Sequence, residues 1–197
     1  MLEIRSAKKE RLGVEPTEVF KPSRRPQVRP ELARTKWIIV LCGPSHSGKS
    51  TFAQRFAHQF CVINSDEIRK RLTGRPAPSE REDSVWAEFA DRKRRALRDG
   101  RNIILDACHL TRKARQHSLE DVDARYRKVC AVFDLPFSAI RERCVREKGM
   151  ALARVRRIWR RFEKPTQREL LQHGFDEAYF ISTNGTLQFL PAKRGRG

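Results

Sequence analysis

Trp37-Ile38-Ile39-Val40-Leu41-Cys42-Gly43-Pro44-Ser45-His46-Ser47-Gly48-Lys49-Ser50-Thr51 is the stretch whose reading decides the fold. Six consecutive apolar residues, rich in Ile and Val and without alternation, predict a strand buried on both faces. The strand runs directly into the pattern GxxxxGK[ST], and a helical pattern follows over 49–59. That order is the arrangement in which backbone N–H groups and a helix N-terminus wrap phosphate oxygens. Gly43 and Gly48 let the main chain turn and approach an anion closely. In such a loop the Lys49 ammonium reaches the outer phosphates of a nucleotide and the Ser50 hydroxyl ligates Mg²⁺. The expected nucleotide-binding set is therefore Gly43, Pro44, Ser45, His46, Ser47, Gly48, Lys49, Ser50 and Thr51, with His46 as a spacer and Ser50 as the metal ligand.

Outward from the loop, apolar runs at 61–63, 102–105, 128–133 and 178–181 read as further buried strands. Helical patterns lie between and after them, at 65–72, 79–98, 111–125, 137–146, 152–162 and 166–173. Alternating strand and helix predicts an α/β fold, a parallel sheet of about five strands with helices on both faces. Residues 1–35 contain four prolines, many charges and few periodic apolar positions, and read as a basic N-terminal extension. The domain proper is expected over 36–184, with a short basic tail at 185–197 that adds one edge strand.

The chain has 197 residues, a length that favours a single domain with appendages. No apolar stretch reaches the roughly 18 residues needed to span a bilayer, and the N-terminus lacks the apolar core of a secretion signal. Cys42, Cys61, Cys108, Cys130 and Cys144 are odd in number and form no CxxC pair, so small buried hydrophobes in a reducing, cytoplasmic setting are expected. His109 and His173 have no second ligand at metal spacing and read as ordinary polar residues. Cations outnumber acids 43 to 24, a formal charge of +19. Of those cations 31 are Arg, which favours bidentate phosphate recognition.

Candidate acceptor-side groups follow the second and third strands. Asn64-Ser65-Asp66-Glu67-Ile68-Arg69 places Asp66 at the carboxyl end of a strand expected beside the phosphate loop, where ligands of open α/β sheets bind. Phosphoryl transfer to a hydroxyl needs a carboxylate within reach of the attacking oxygen. Arg69, three residues on, shares a helical face with Asp66. The alternative is that Ser65 or Asp66 merely caps the helix and Arg69 is a surface charge. Asp106 ends the third strand, where a carboxylate can hold Mg²⁺ waters or orient Arg69. Asp121 and Asp123, in a helix of alternating charge, read as solvated.

The most basic stretch lies between Ala139 and Lys164, with ten Lys or Arg against three Glu. It predicts an Arg-rich helical lid over about 139–164, able to close on a triphosphate and stabilise charge on the transferred group. Leu152, Val155 and Ile158 give it an apolar stripe for packing.

The series GPSHSGKST, NSDEIR, ILDACHLT and VFDLPFSAIRERC resembles the kinase domain of polynucleotide 5′-hydroxyl kinases, of the phage and bacterial RNA-repair types, over about residues 36–182. The resemblance implies a P-loop NTPase/kinase fold, ATP or another NTP as donor, and Mg²⁺. It implies direct in-line transfer to the 5′-OH end of RNA or DNA. By the same resemblance Asp66 matches the general base, Arg69 the residue gripping the phosphate beside the terminal nucleoside, and Asp106 an aspartate near the acceptor. Arg143 or Arg146 would supply the lid cation. The sequence departs from the family at Cys108, where Asn is usual, and at Glu147, where a second lid Arg is usual. A separate ligase or phosphatase partner is implied, and the oligomeric state is open.

Three functions fit these residues: a polynucleotide 5′-kinase, a kinase of a small metabolite, nucleotide or antibiotic, and a nucleic-acid-binding NTPase that is not a kinase. Asp66-x-x-Arg69 argues against the last. The charge argues for the first, because each neutralised phosphate of a long acceptor adds affinity by counterion release.

Overall fold

The computed structural model describes residues 36–74, 81–146 and 151–181, together with the backbone of 187–190. The basic extension at 1–35, residues 147–150 of the expected lid, and the last seven residues lie outside them.

Six strands form one sheet in the order β2-β3-β1-β4-β5-β6. They are β1 (Lys36–Cys42), β2 (Cys61–Asn64), β3 (Ile103–Asp106), β4 (Tyr126–Phe133), β5 (Glu177–Ile181) and β6 (Leu187–Leu190). The first five are mutually parallel, and β6 closes the β5 edge antiparallel, so the tail carries the edge strand its composition suggested. The central strand β1 is buried from Ile38 to Cys42, as its unbroken apolar run requires. Successive side chains point to opposite faces. Ile38, Val40 and Cys42 join the main apolar cluster with Ile103, Leu105, Cys130 and Val132. Ile39 and Leu41 are equally buried on the other face.

One expectation about neighbours needs correction. β2 does not lie beside the phosphate-loop strand. β3 takes that place, pairing Ile38 with Ile103 and Val40 with Leu105, and β2 pairs outside it, with Asn64 opposite Asp106. A parallel crossover leaves room for a strand between its two ends, and chain order alone does not say whether a later strand fills it.

The helices are α1 (Lys49–Arg55), α2 (Ser65–Thr73), α3 (Glu82–Arg98), α4 (Arg112–Ser118), α5 (Phe137–Arg146), α6 (Leu152–Arg160) and α7 (Gln167–Gln172). α1 and α4 fall well short of what their periodicity predicts. Beyond Arg55 the hydrogen bonds tighten to i→i−3 turns, Phe56 to Ala53 and Gln59 to Phe56. α4 stops at Ser118 because buried Lys93 of α3 takes the carbonyls of Ser118 and Glu120, and Asp121 then turns into the left-handed region at φ 64°. Asp121 and Asp123 therefore lie in a turn and not in a helix, and Asp123 is paired with Arg125.

Helix α3 packs Val85, Phe89, Ala96 and Leu97 on the main apolar cluster, which also holds Ile68 of α2 and Leu170 of α7. α5 buries Ile140 and Cys144, and α6 buries Val155 completely. Of the expected lid stripe Ile158 is half-buried, but Leu152 is exposed. All five cysteines are free, as expected of small apolar side chains. No helix among the described residues is long and apolar enough to cross a membrane.

Candidate active site

Gly43 follows β1 at φ 145°, and a Cβ there would sit 2.8 Å from the Phe133 carbonyl oxygen, so only glycine lets the loop leave the sheet this close to β4. Gly48 reverses the chain into α1 at φ 99°. His46, between them, holds φ 61°, a conformation that costs a non-glycine residue roughly 1–3 kcal/mol and that is found mainly where a site imposes it.

Lys49 is only 6% exposed, and its Nζ turns back into the loop, donating to the Pro44 carbonyl at 2.6 Å and to Ser47 Oγ at 3.4 Å. Among the described residues no carboxylate lies within ion-pair distance of it. A buried cation with no carboxylate in direct contact is an arrangement that an anion can complete. Arg143 of α5 approaches from the other side, donating from Nη1 to the Ser47 carbonyl at 3.0 Å. Arg146, at the end of α5, is exposed. The structure thus brings one of the two expected lid arginines to the phosphate loop.

The neighbouring strand ends are bonded to each other beside the loop. Asn64 Nδ2 donates to Asp106 Oδ2 at 2.5 Å, and Ser50, on the loop, lies close enough to favour the charged form of Asp106. Asp106 is buried at the end of β3, and burial pushes its carboxyl above the usual range, against the opposing effects of Ser50, the Lys49 charge and Asn64. Asp106 bonds to Asn64, while the ion pairs of Arg69 run to Asp66 and Glu82.

Asn64 also caps α2. Its Oδ1 accepts from the backbone N–H groups of Asp66 at 2.8 Å and Glu67 at 2.9 Å. Such a cap contributes about 1 kcal/mol. Neither Ser65 nor Asp66 is therefore the capping residue, and the Asp66 carboxylate is left for other work. It is 67% exposed and ion-paired with Arg69. Arg69 is buried and forked onto Glu82 of α3, from Nε at 2.7 Å and Nη2 at 3.2 Å. Its burial opposes the charge, yet Glu82 and Asp66 outweigh that and hold the guanidinium more firmly protonated than usual. Glu82 is a site residue that sequence reasoning missed, since its partner lies in another helix.

The loop after β3 is fixed to the phosphate loop. The Gly43 N–H donates to the Cys108 carbonyl at 2.9 Å, and Ser45 Oγ lies 3.7 Å from Cys108 Sγ. His109 follows at φ 41°, buried, with Nδ1 2.7 Å from the Leu41 carbonyl. Arg115, another residue not singled out from sequence, is buried and donates to the carbonyls of Leu110 and Glu163, both at 3.1 Å. It joins this loop to the segment leaving α6. Among the described residues no His, Cys, Asp and Glu cluster forms a metal cage. His109 is a structural residue. Burial pushes its imidazole down to about 4, with the bond to Leu41 opposing. The unfolded chain binds that proton near its ordinary value of 6.5, so folding stability is full above pH 6.5 and falls as pH drops to about 4. About 3 kcal/mol is lost across that window. His109→Gln, measured by denaturant unfolding from pH 7 to 4, is expected to flatten this dependence; an unchanged slope would place the titration elsewhere.

Exposed Arg156, Arg157, Arg160 and Arg161 line α6 and its end, beside Trp159, whose ring meets Phe137 at 5.5 Å. A cavity of about 570 Å³ opens between the end of β4 and this segment, lined by Leu135, Pro136, Trp159 and Phe162 among others, with no phosphate-loop residue in its wall.

A central β1, a phosphate loop with a buried lysine, and a carboxylate at the end of the adjacent strand β3 define a P-loop NTP-binding domain of the kinase type. The chain belongs to the AAA domain family, whose model matches residues 38–165. A chain described under the Pnkp1/Rnl/Hen1 complex is similar at 25% identity and TM-score 0.52, over 56% of this chain and 40% of that one. A second, from the Pnkp1/Rnl/Hen1 RNA repair complex, is similar at 19% identity and TM-score 0.59, over 83% of this chain and 51% of that one. This chain therefore spans about half or less of the length of those two. A gluconokinase from Sinorhizobium meliloti 1021 shares the fold at 20% identity and TM-score 0.52, covering 76% and 83% of the two chains. No curated protein matches the chain in sequence.

Proposed function

We propose that this protein transfers the γ-phosphoryl group of ATP, or of another NTP, to the 5′-hydroxyl end of RNA or DNA. The observation that carries the reading is that Asp106, beside the loop, is bonded to Asn64, which caps α2 where Asp66 stands exposed and held by Arg69. The donor's phosphates fit the loop at 43–51, where among the described residues no carboxylate forms an ion pair with Lys49. Ser50 would hold Mg²⁺, with Asp106 behind it. The ion, when bound, neutralises charge on the phosphate oxygens. Asp66 accepts the proton as the hydroxyl O–H breaks and the new P–O bond forms, while Lys49 and Arg143 stabilise the charge that spreads over the group in transfer. Arg69 orients the Asp66 carboxylate; gripping an acceptor phosphate as well requires exchange of that ion pair.

The similarity to a gluconokinase favours a second reading, a small-molecule kinase. The charge of +19 and the exposed arginines of α6 favour a long anion instead. The likeness to a chain of an RNA repair complex supports a nucleic-acid end as acceptor and a separate ligase or phosphatase partner.

Salt separates the two readings. If Arg156, Arg157, Arg160 and Arg161 each neutralise one phosphate of a single strand, kcat/KM for an oligonucleotide falls roughly fifty-fold between about 50 and about 200 mM salt. A flat response in steady-state kinetics would count against a polynucleotide acceptor.

A further inference from the structure

We infer that Trp86 is a stacking platform for the unpaired base at the 5′ end of the acceptor. The inference rests on the polynucleotide reading above and deepens it. Among the described residues the exposed large apolar side chains are Trp86, Val145, Leu152 and Trp159. The last three lie on the lid helices α5 and α6, whereas Trp86 stands apart on the second turn of α3, 45% exposed.

Its surroundings place it at the acceptor side. Glu82, which holds Arg69 and through it Asp66, lies four residues earlier on α3, and residues at that spacing are neighbours on one helix face. Phe89, three residues later, meets the indole edge-on with ring centres 5.5 Å apart at 66°. Phe89 is itself buried and lies 6.4 Å from the His109 ring, in the loop that follows Asp106. The indole therefore sits between the Asp66–Arg69–Glu82 group and the loop after β3. The first carries Asp66, and the second follows Asp106 at the end of β3.

The support beneath the indole is stiff. His109 is locked on the Leu41 carbonyl, and Phe89 rests against it, so the exposed face is ordered before anything binds. A preordered aromatic face loses little freedom on stacking. Every nucleobase offers a flat π face, so such a platform accepts all four bases and adds affinity without sequence preference. With phosphates taken by arginines, an exposed indole supplies the second element of single-strand recognition.

The test compares a single-stranded 5′-OH oligonucleotide with the same strand carrying an abasic 5′-terminal nucleoside. The wild-type protein is expected to favour the intact end by about 5- to 150-fold in kcat/KM, the range of one base–aromatic stack. Trp86→Ala should reduce this preference to less than about twofold through KM, with the KM for ATP unchanged. Trp86→Phe, which keeps both the Phe89 contact and a π face, should retain most of the preference, and Trp86→Leu should keep the fold and lose the preference. Wild-type indifference to the abasic end, or an undiminished preference in both Trp86→Ala and Trp86→Leu, overturns the platform while leaving the kinase reading standing. Absence of transfer to every oligonucleotide overturns the kinase reading and the platform together.

Discussion

Asp66→Ala is expected to lower phosphoryl transfer by roughly 10²–10⁴-fold, the range of a positioned general base, while nucleotide affinity should stay within about twofold. The structure separates the two effects. The Asp66 backbone N–H, not its side chain, is bonded to the Asn64 cap, so α2 keeps its start when the carboxylate is removed. The carboxylate is 67% exposed, and its partner Arg69 remains forked on Glu82. An ion pair with one partner this exposed contributes at most about 1 kcal/mol to folding. The loss is thus chemical, and Asp66→Asn, which keeps the shape, should lose nearly as much. Single-turnover transfer from labelled ATP, alongside a nucleotide-binding titration, measures both. Full transfer by Asp66→Ala would remove Asp66 from the role of base.

Lys49→Ala is expected to lose both properties at once. Its ammonium is the buried charge of the loop, tied to Pro44 and Ser47 and to no carboxylate among the described residues. Removing it takes a cation from the nucleotide's phosphates and from the charge that develops in transfer. The rate should fall by about 10²–10³-fold or more, and the nucleotide affinity should fall with it. Titration of a nucleotide analogue followed by fluorescence reads the binding loss. An unchanged affinity would mean that the loop does not hold phosphate.

The sequence announced the loop because glycine, lysine and hydroxyl at fixed spacing between a strand and a helix admit few other readings. The structure adds why Gly43 is needed: β4 passes too close for a Cβ. The five parallel strands were legible from unbroken apolar runs, whereas their order was not. β3 lies between β1 and β2 because of long-range pairing, which leaves no local trace. That insertion sets Asn64 opposite Asp106 and creates the bridge between the two carboxylate sites. Asn64 carried a readable signal, an amide just before a helical run, yet its second bond to Asp106 did not. Glu82 and Arg115 were invisible for the same reason, their partners lying in other elements. Arg143 and Arg146 were equivalent in sequence, and only the direction of α5 brings Arg143 to Ser47.

The most direct test of the central claim is transfer of labelled γ-phosphate from ATP with Mg²⁺ to 5′-OH RNA and DNA oligonucleotides, run beside a panel of sugars, gluconate and free nucleosides. Label on the oligonucleotide ends, lost in Asp66→Ala, is the predicted result. Label on the small molecules alone would contradict it.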